Sequence, residues 1–342
     1  MSRRCNAAIA SPCVLIKQPE AWQVAAFAEH GWDPKGPPTL IDLQVGLDAD
    51  GSVAAWHSQF YLPDGAAGTV PLVAANLADL PADHGMSPGL ILNDSAIPYA
   101  FPNVLTVAHR LADTPLRPSW IRTPGRMQNT FANEAFFVEL ALAANADPFE
   151  FRLRYLHDPR GEELLRRLRT FAKWQGPSAS KSTAGDIATG RGVAYVKYEL
   201  YRTYVGAVAT VDVNRKTGAI AVKHFAVVQD CGQIINPDGV KNQVEGNVLQ
   251  TVSRVLKEQV TFDRSRVTSV DWASYPILTF PEIPDVDIDL IDRPTEKPWG
   301  VGEASAAVLP AAISNAECDA VGVRLRSVPF TPQKMLAALK GA

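Results

Sequence analysis

Two strand-turn-strand patterns, set apart by a helical stretch and a loose connection, constrain the fold of this chain more than any other feature. Thr39 to Val45 and Val53 to Tyr61 read as strands around Asp48-Ala49-Asp50-Gly51, a turn whose glycine permits positive φ. The pattern returns in Tyr204 to Val213 and Ala219 to Val228, around Asn214-Arg215-Lys216-Thr217-Gly218. Between the hairpins, Phe131 to Ala144 has apolar residues at helical spacing, with Asn129 or Thr130 available to cap it and Glu134 near its positive end. Asp147-Pro148 then supplies a cap and a first helical residue for a helix over Phe149 to Leu156, and Glu162 to Trp174 continues the helical character. Further on, Val240 to Lys257 is helical in pattern, Asp287 to Ile291 is a short strand, and Ala304 to Val321 is an Ala-rich helix ended by Gly322. Strands and helices segregate rather than alternate, so the predicted class is α+β, with no internal repeat.

The stretch from Gln175 to Gly190 is rich in Gly, Ser, Thr and Ala and has little to bury, so it reads as a flexible connection. It divides residues 29–174, a first lobe, from residues 191–342, a second. A formal net charge of -3 gives no basic footprint for nucleic acid, and no Cys/His finger spacing occurs. The cysteines Cys5, Cys13, Cys231 and Cys318 are too scattered for a disulfide framework, which points to free thiols. Arg3 and Arg4 precede only a short apolar run broken by Pro12, unlike a secretory signal. No stretch approaches the roughly 20 apolar residues of a membrane span. A cytoplasmic location is the expectation, with the periplasm left open for a longer form.

The chemistry concentrates in three glycine-bearing loops. Gly300-Val301-Gly302-Glu303, between Pro298 and the Ala-rich helix, offers one carboxylate on a turn that a substrate could approach closely. A glutamate just ahead of a helix also serves commonly as a cap or dipole partner. Arg122-Thr123-Pro124-Gly125-Arg126-Met127-Gln128 and the run from Asp230-Cys231-Gly232 through Asn236-Pro237-Asp238 to Gln243 both lead into helices. Backbone N–H groups at helix starts, with an arginine and side-chain amides, make a cradle for phosphate or a polar heterocycle, or else simply well-capped helix starts. The six histidines never pair at ligand spacing, so no metal is held directly by protein side chains. Cys231 has no nearby histidine and reads as a small buried hydrophobe. Between Lys35 and Arg110 there is no Lys or Arg at all, so that interval cannot grip an anion by side-chain charge.

Taken in order, several segments resemble the molybdenum-cofactor-binding large subunit of the xanthine dehydrogenase and aldehyde oxidase family. They are Arg122-Thr-Pro-Gly-Arg-Met-Gln-Asn-Thr-Phe-Ala-Asn-Glu134, Asp147-Pro-Phe-Glu-Phe-Arg152, Asp230-Cys-Gly-Gln-Ile-Ile-Asn-Pro-Asp238, Gln243-Val-Glu-Gly246 and Gly300-Val-Gly-Glu303. Glu29-His-Gly-Trp-Asp-Pro-Lys-Gly-Pro-Pro38 and Asp271-Trp-Ala-Ser-Tyr-Pro-Ile-Leu278 are similar to one branch of it, the β-subunits of isoquinoline 1-oxidoreductases. The similarity runs from about Glu29 to the C-terminus, whereas residues 1–28 match poorly.

The resemblance implies an α+β cofactor-binding domain of the aldehyde oxidase/xanthine dehydrogenase type, holding a molybdenum-pyranopterin as molybdopterin or its cytosine dinucleotide form. Glu303 would be the general base in oxidative hydroxylation of an N-heterocycle or aldehyde with water-derived oxygen. Arg122, Gly125, Gln128, Gln243 and Gly302 would bind the cofactor. Electrons would leave through a [2Fe–2S] cluster on a partner subunit, since this chain has too few clustered cysteines to hold one. Xanthine-type members set an arginine against the purine in the region that here lacks basic residues, so a neutral N-heterocycle or aldehyde fits better. The family's glycine- and phenylalanine-rich loop and its Gly-Gln-Gly segment are not in this sequence, so the cofactor domain is expected to be N-terminally incomplete. Two outcomes stay open: a hydroxylase fragment that works with the N-terminal half of the large subunit and an iron–sulfur small subunit, or a non-catalytic remnant that only associates with them.

Overall fold

The computed structural model describes residues 3–9 (their backbone course only), 36–63, 94–111, 121–177 and 185–341. The expected N-terminal segment 1–28 therefore lies largely outside the described residues, as do residues 178–184 of the expected connection and residues 64–93 of the interval without basic residues.

The described chain builds two sheets. The first comprises β1 (Arg3–Ile9), β2 (Thr39–Leu47), β3 (Val53–Pro63), β4 (Val104–Leu111) and β9 (Ser327–Val328), in the order β4-β3-β2-β1-β9. The second comprises β5 (Ile187–Lys197), β6 (Tyr204–Asn214), β7 (Ile220–Asp230) and β8 (Asp285–Ile291), in chain order. Both predicted hairpins form, β2 with β3 and β6 with β7, each antiparallel. In the first, Ile41, Leu43 and Val45 alternate inward and face a core that includes Trp56 and Phe60 of β3.

Six helices pack on these sheets: α1 (Arg126–Ala143), α2 (Pro148–Tyr155), α3 (Pro159–Phe171), α4 (Pro237–Leu256), α5 (Ala304–Val321) and α6 (Pro332–Lys340). Asp147 caps α2 as its sequence implies, accepting from the N–H groups of Phe149 and Glu150. Gly322 ends α5 in the left-handed conformation, φ 77°. Helix α1 begins five residues before the predicted Phe131. Its N-cap is Gly125, without a side-chain cap, so Asn129 and Thr130 lie inside the helix. Strands β1, β4 and β5 and helix α6 do not stand out in the sequence. For β4 the reason is its exposure, which leaves no inward-outward alternation to detect; for β5 it is the pair Gly190 and Gly192, residues that weaken a strand pattern.

Helix α1 is buried from Arg126 through Ala141, with β1 and β2 on one side and α5 on the other. A helix enclosed in this way must pair its charges. Glu134 accepts from Tyr99 Oη (2.7 Å), from Arg152 Nε and Nη2 (3.0 and 2.7 Å) and from the Tyr195 N–H (2.8 Å). Glu139 pairs with Arg324 and Arg326 at 2.9 and 2.7 Å.

Helix α5 in turn lies on β5 and β6. A Cβ at Gly190 would stand 2.2 Å from the Ala316 carbonyl oxygen, and one at Gly192 2.2 Å from the Ala316 nitrogen and 2.4 Å from the Ala312 carbonyl oxygen. Only glycine allows that approach. As β5 advances from 190 to 192 its neighbours on α5 recede from Ala320 to Ala312, so strand and helix run antiparallel and the end of β5 meets the start of α5. Substituting Gly192→Ala drives a methyl group into helix backbone, and the expected loss of stability is about 1–3 kcal/mol or more. Urea denaturation measures it; an unchanged midpoint would show that α5 does not rest on β5 in this register.

Candidate functional site

Glu303 occupies the N-cap position of α5 but makes no side-chain cap. Its carboxylate instead reaches across to two other segments. Oε2 accepts from the Thr123 backbone N–H at 2.9 Å, and Oε1 accepts from the Tyr198 hydroxyl at 2.6 Å. The Thr123 hydroxyl also donates to the Glu303 carbonyl at 2.9 Å. The cap reading of this glutamate is thereby replaced by a carboxylate held from the side, half-buried and ahead of the helix.

Each donor is placed by a turn that ordinary side chains rarely adopt. Thr123 has φ 69° and Gly125 φ 72°, which swings the chain into α1 and leaves the Thr123 N–H aimed at the carboxylate. Tyr198 opens a short 3-10 turn directly after β5, where Glu199 and Leu200 have φ 54° and 63°. That turn closes on itself, Tyr198 N–H to the Thr203 carbonyl (2.9 Å) and Arg202 N–H to the Tyr198 carbonyl (3.1 Å). The buried Thr203 hydroxyl then donates to the Gly300 carbonyl at 2.9 Å. The turn after β5 and the loop before α5 are therefore joined at both ends.

Beside Glu303 lies the arginine cluster. Arg122 donates through Nε to the Gly302 carbonyl (2.5 Å) and through Nη2 to the Gln243 carboxamide (2.7 Å), with Nη1 at 3.3 Å from the Gln250 carboxamide. Arg254 from α4 donates to the Arg122 carbonyl at 3.2 Å, fixing the backbone from which the guanidinium extends. Partial burial pulls the Arg122 guanidinium below its ordinary value, opposed by the Glu303 carboxylate. No Cβ narrows the space here: one at Gly302 would lie 3.8 Å from Gln243 Oε1, one at Gly246 3.5 Å from Arg122 Nη1, and one at Gly300 would meet nothing within 4 Å. A guanidinium and two carboxamides on a glycine-lined surface suit a ligand with anionic and amide-like groups, so the donor set fits a pterin phosphate.

Behind Tyr198 is a buried charge network. The Arg126 guanidinium stacks over the Tyr198 ring at 5.2 Å and pairs with Glu199, which also pairs with Arg202 at 2.6 Å. Asp94, 6% exposed and with φ 59°, accepts from the Glu199 N–H at 2.7 Å, while its second carboxylate oxygen has no hydrogen-bond partner. Burial pushes the Asp94 carboxyl up to about 7, partly offset by Arg126. Burial also raises the Tyr198 hydroxyl well above the ordinary phenol range, with Arg126 opposing and Glu303 reinforcing the shift.

Of the residues singled out in the sequence, Glu303, Arg122, Gln243 and Gly302 converge. Gly125 shapes the turn that presents Thr123. Gln128 is used elsewhere: from the first turn of α1, buried, its amide donates to the Pro37 carbonyl at 2.7 Å. Sequence reasoning misses Thr123, Gln250 and Tyr198. Gln250 lies two helical turns after Gln243, a spacing that could have revealed it. Tyr198 follows an unread strand and carries no local signal. Cys231 is buried, and burial raises its thiol. Among the described residues no group of three His, Cys, Asp or Glu side chains is placed to hold a metal ion, and no helix is long and apolar enough to cross a membrane.

Residues 4–156 and residues 137–284 each match a family profile described as a molybdopterin cofactor-binding domain. One of the two subunits named for nicotinate dehydrogenase in Pseudomonas putida is 39% identical over 354 residues, 99% of this chain and 29% of that protein. That alignment and the profile starting at residue 4 both begin ahead of Glu29. The beta subunit of isoquinoline 1-oxidoreductase from Brevundimonas diminuta is 31% identical over 62% of this chain and 26% of its own length. The chain thus spans less than a third of these curated relatives. Among solved structures, the aldehyde oxidoreductase from Desulfovibrio gigas superposes with a TM-score of 0.70 at 17% identity, covering 91% of this chain and 50% of that one. Quinoline 2-oxidoreductase from Pseudomonas putida 86 gives 0.71 at 15%, covering 90% and 62%. At such identities the superpositions show the fold, which is that of molybdenum hydroxylases.

The buried Asp94 makes a prediction about pH. In the fold it keeps its proton up to about pH 7, whereas the unfolded chain releases it near the ordinary value of 3.8, so the folded form binds more protons across that window. Its contribution to stability is therefore fully present below pH 4 and is lost as pH rises toward 7. Asp94→Asn removes that loss, so the variant gains stability relative to the parent as pH goes from 4 to 7. Denaturant melts across this range measure the gain; parallel curves would refute it.

Proposed function

Since the chain belongs to the xanthine dehydrogenase and aldehyde oxidase family through its two molybdopterin cofactor-binding domains, we propose that it forms part of the large subunit of a molybdenum hydroxylase acting on an N-heterocycle or an aldehyde. The observation that carries this reading is the Glu303 carboxylate, held by Thr123 and Tyr198 beside the Arg122–Gln243 cluster. Bound at that cluster, a molybdenum-pyranopterin, as molybdopterin or its cytosine dinucleotide, supplies the electron-accepting and oxygen-transferring chemistry. Arg122, Gln243 and Gln250 present donors to its polar edge, and Gly246, Gly300 and Gly302 let it approach the backbone. Glu303 takes the proton from the water-derived oxygen as that oxygen attacks an electron-poor carbon next to a ring nitrogen or in an aldehyde. Hydrogen bonds from Thr123 and Tyr198 keep its carboxylate ionised, in the form that can accept a proton.

Relatives named for nicotinate and isoquinoline favour a heteroaromatic ring, and those named as aldehyde oxidoreductases support the aldehyde alternative. In this reading residues 29–174 and 191–342 are two cofactor-binding lobes joined by residues 175–190. Electrons leave to a [2Fe–2S] cluster on a small subunit, and the N-terminal half of the large subunit completes the pocket. Co-expressed with those parts, the Glu303→Gln variant is expected to lose about 10²–10⁴-fold in turnover of an N-heterocycle while keeping its pterin. Unchanged turnover would refute Glu303 as the base. Arg122→Ala should instead lower the molybdenum and pterin that copurify with the assembly, and full retention would contradict the role given to the cluster.

A further inference from the structure

Proton uptake by Glu303 requires a carboxylate that is ionised and aimed, and one side chain in the structure does both without facing the pterin cluster. We propose that Tyr198 is a positioning residue for Glu303: its hydroxyl, fixed on the left-handed turn after β5, donates to Oε1 and leaves the carboxylate one defined direction from which to take up a proton. The proposal rests on the reading of Glu303 as the base.

Three independent features hold Tyr198 in place. The glycine-mediated approach of β5 to α5 sets the register. From Gly192 to Tyr198 the strand advances about 20 Å, and from the facing part of α5 back to Glu303 the helix runs about 17 Å, so the two ends coincide. The turn that carries Tyr198 contains two consecutive non-glycine residues with positive φ, Glu199 and Leu200, a strained conformation held by the Glu199 ion pairs and the Asp94 bond to the Glu199 N–H. The ring itself is buried beneath the Arg126 guanidinium, which limits its rotation. The charged and titratable groups around the pair are Arg122 on the Glu303 side and Arg126, Asp94 and Glu199 on the Tyr198 side. Burial keeps the phenol protonated throughout the range in which a carboxylate titrates, so it remains a donor. Both Glu303 oxygens then accept from the protein, Oε2 from a backbone N–H that mutation cannot remove and Oε1 from a hydroxyl that it can.

The test reads the carboxylate directly. In the 342-residue chain labelled with ¹³C-glutamate, the Glu303 carboxyl resonance is identified by its loss in Glu303→Gln, and its titration midpoint is followed in Tyr198→Phe and with 3-fluorotyrosine placed at 198. Removing a hydrogen bond to the charged form should raise the midpoint by about one pH unit or more. The more acidic fluorophenol, a stronger donor of nearly the same shape, should lower it. In the assembled enzyme the acid limb of the pH–rate profile should move in the same two directions. A midpoint unaltered by either change would overturn the proposal, and if Tyr198→Phe fails to fold, the fluorotyrosine protein alone decides. The titration requires neither cofactor nor turnover. Failure of the positioning role is therefore distinguishable from failure of Glu303 as base, which the turnover of Glu303→Gln decides.

Discussion

The architecture depends on the close approach of helix α5 to strand β5. Gly190 and Gly192 remove the side chains that would hold the two apart, and the helix presents a face of alanines, Ala312, Ala316 and Ala320. Each element in such a contact has lost the freedom to slide, because the next residue in either register brings a Cβ against backbone. Fixing this register fixes the ends as well. The strand finishes in Tyr198, the helix starts after Glu303, and the antiparallel arrangement brings hydroxyl and carboxylate within 2.6 Å. The site is thus a consequence of core packing some distance away, and the loops around it finish what the packing begins.

Helix α1 completes the arrangement from the other side. It is enclosed between the first sheet and α5, and its buried charges are each answered by a different neighbour: Arg126 by Glu199, Glu134 by Arg152 and Glu139 by Arg324 and Arg326. Leaving any of these without its partner would strand a charge in the interior. The pairs therefore select one seating of α1, and with it the position of Thr123 and Arg122 just ahead of the helix. Glu303 receives one donor from this side and one from the β5 side. Its carboxylate is consequently a point where the two sheets' supporting elements meet.

Much of the fold is legible in the sequence because it rests on local patterns. The hairpins at Asp48–Gly51 and Asn214–Gly218, the Asp147-Pro148 helix start and the Gly322 stop are all set by residues within a few positions. What escapes is what depends on tertiary partners. Strand β5 contains the glycines that make it look like a connection, and their purpose is visible only with α5 laid across them. The start of α1 is misplaced because Asn129 and Thr130 look like caps while the true cap, Gly125, gains its place from its φ. At the site, Glu303, Arg122, Gln243 and Gly302 are legible through their motifs. Tyr198 and Thr123 act through a hydroxyl and a backbone N–H whose direction is decided by positive-φ turns, and no spacing rule reports those. Gln128 shows the converse, a residue of the right type in the right motif whose amide is bound to Pro37.

Everything proposed for the site comes down to Glu303 as a base aimed from two sides at the reacting position. A crystal structure of the assembled enzyme, with its pterin and a slow heterocyclic substrate analogue, tests this without intermediaries. The Glu303 carboxylate is expected to keep its bonds to Thr123 and Tyr198 there and to lie within roughly 2.6–3.2 Å of the oxygen that will attack the ring. A complex in which that carboxylate faces bulk solvent, with the analogue held away from the Arg122–Gln243 cluster, would contradict it.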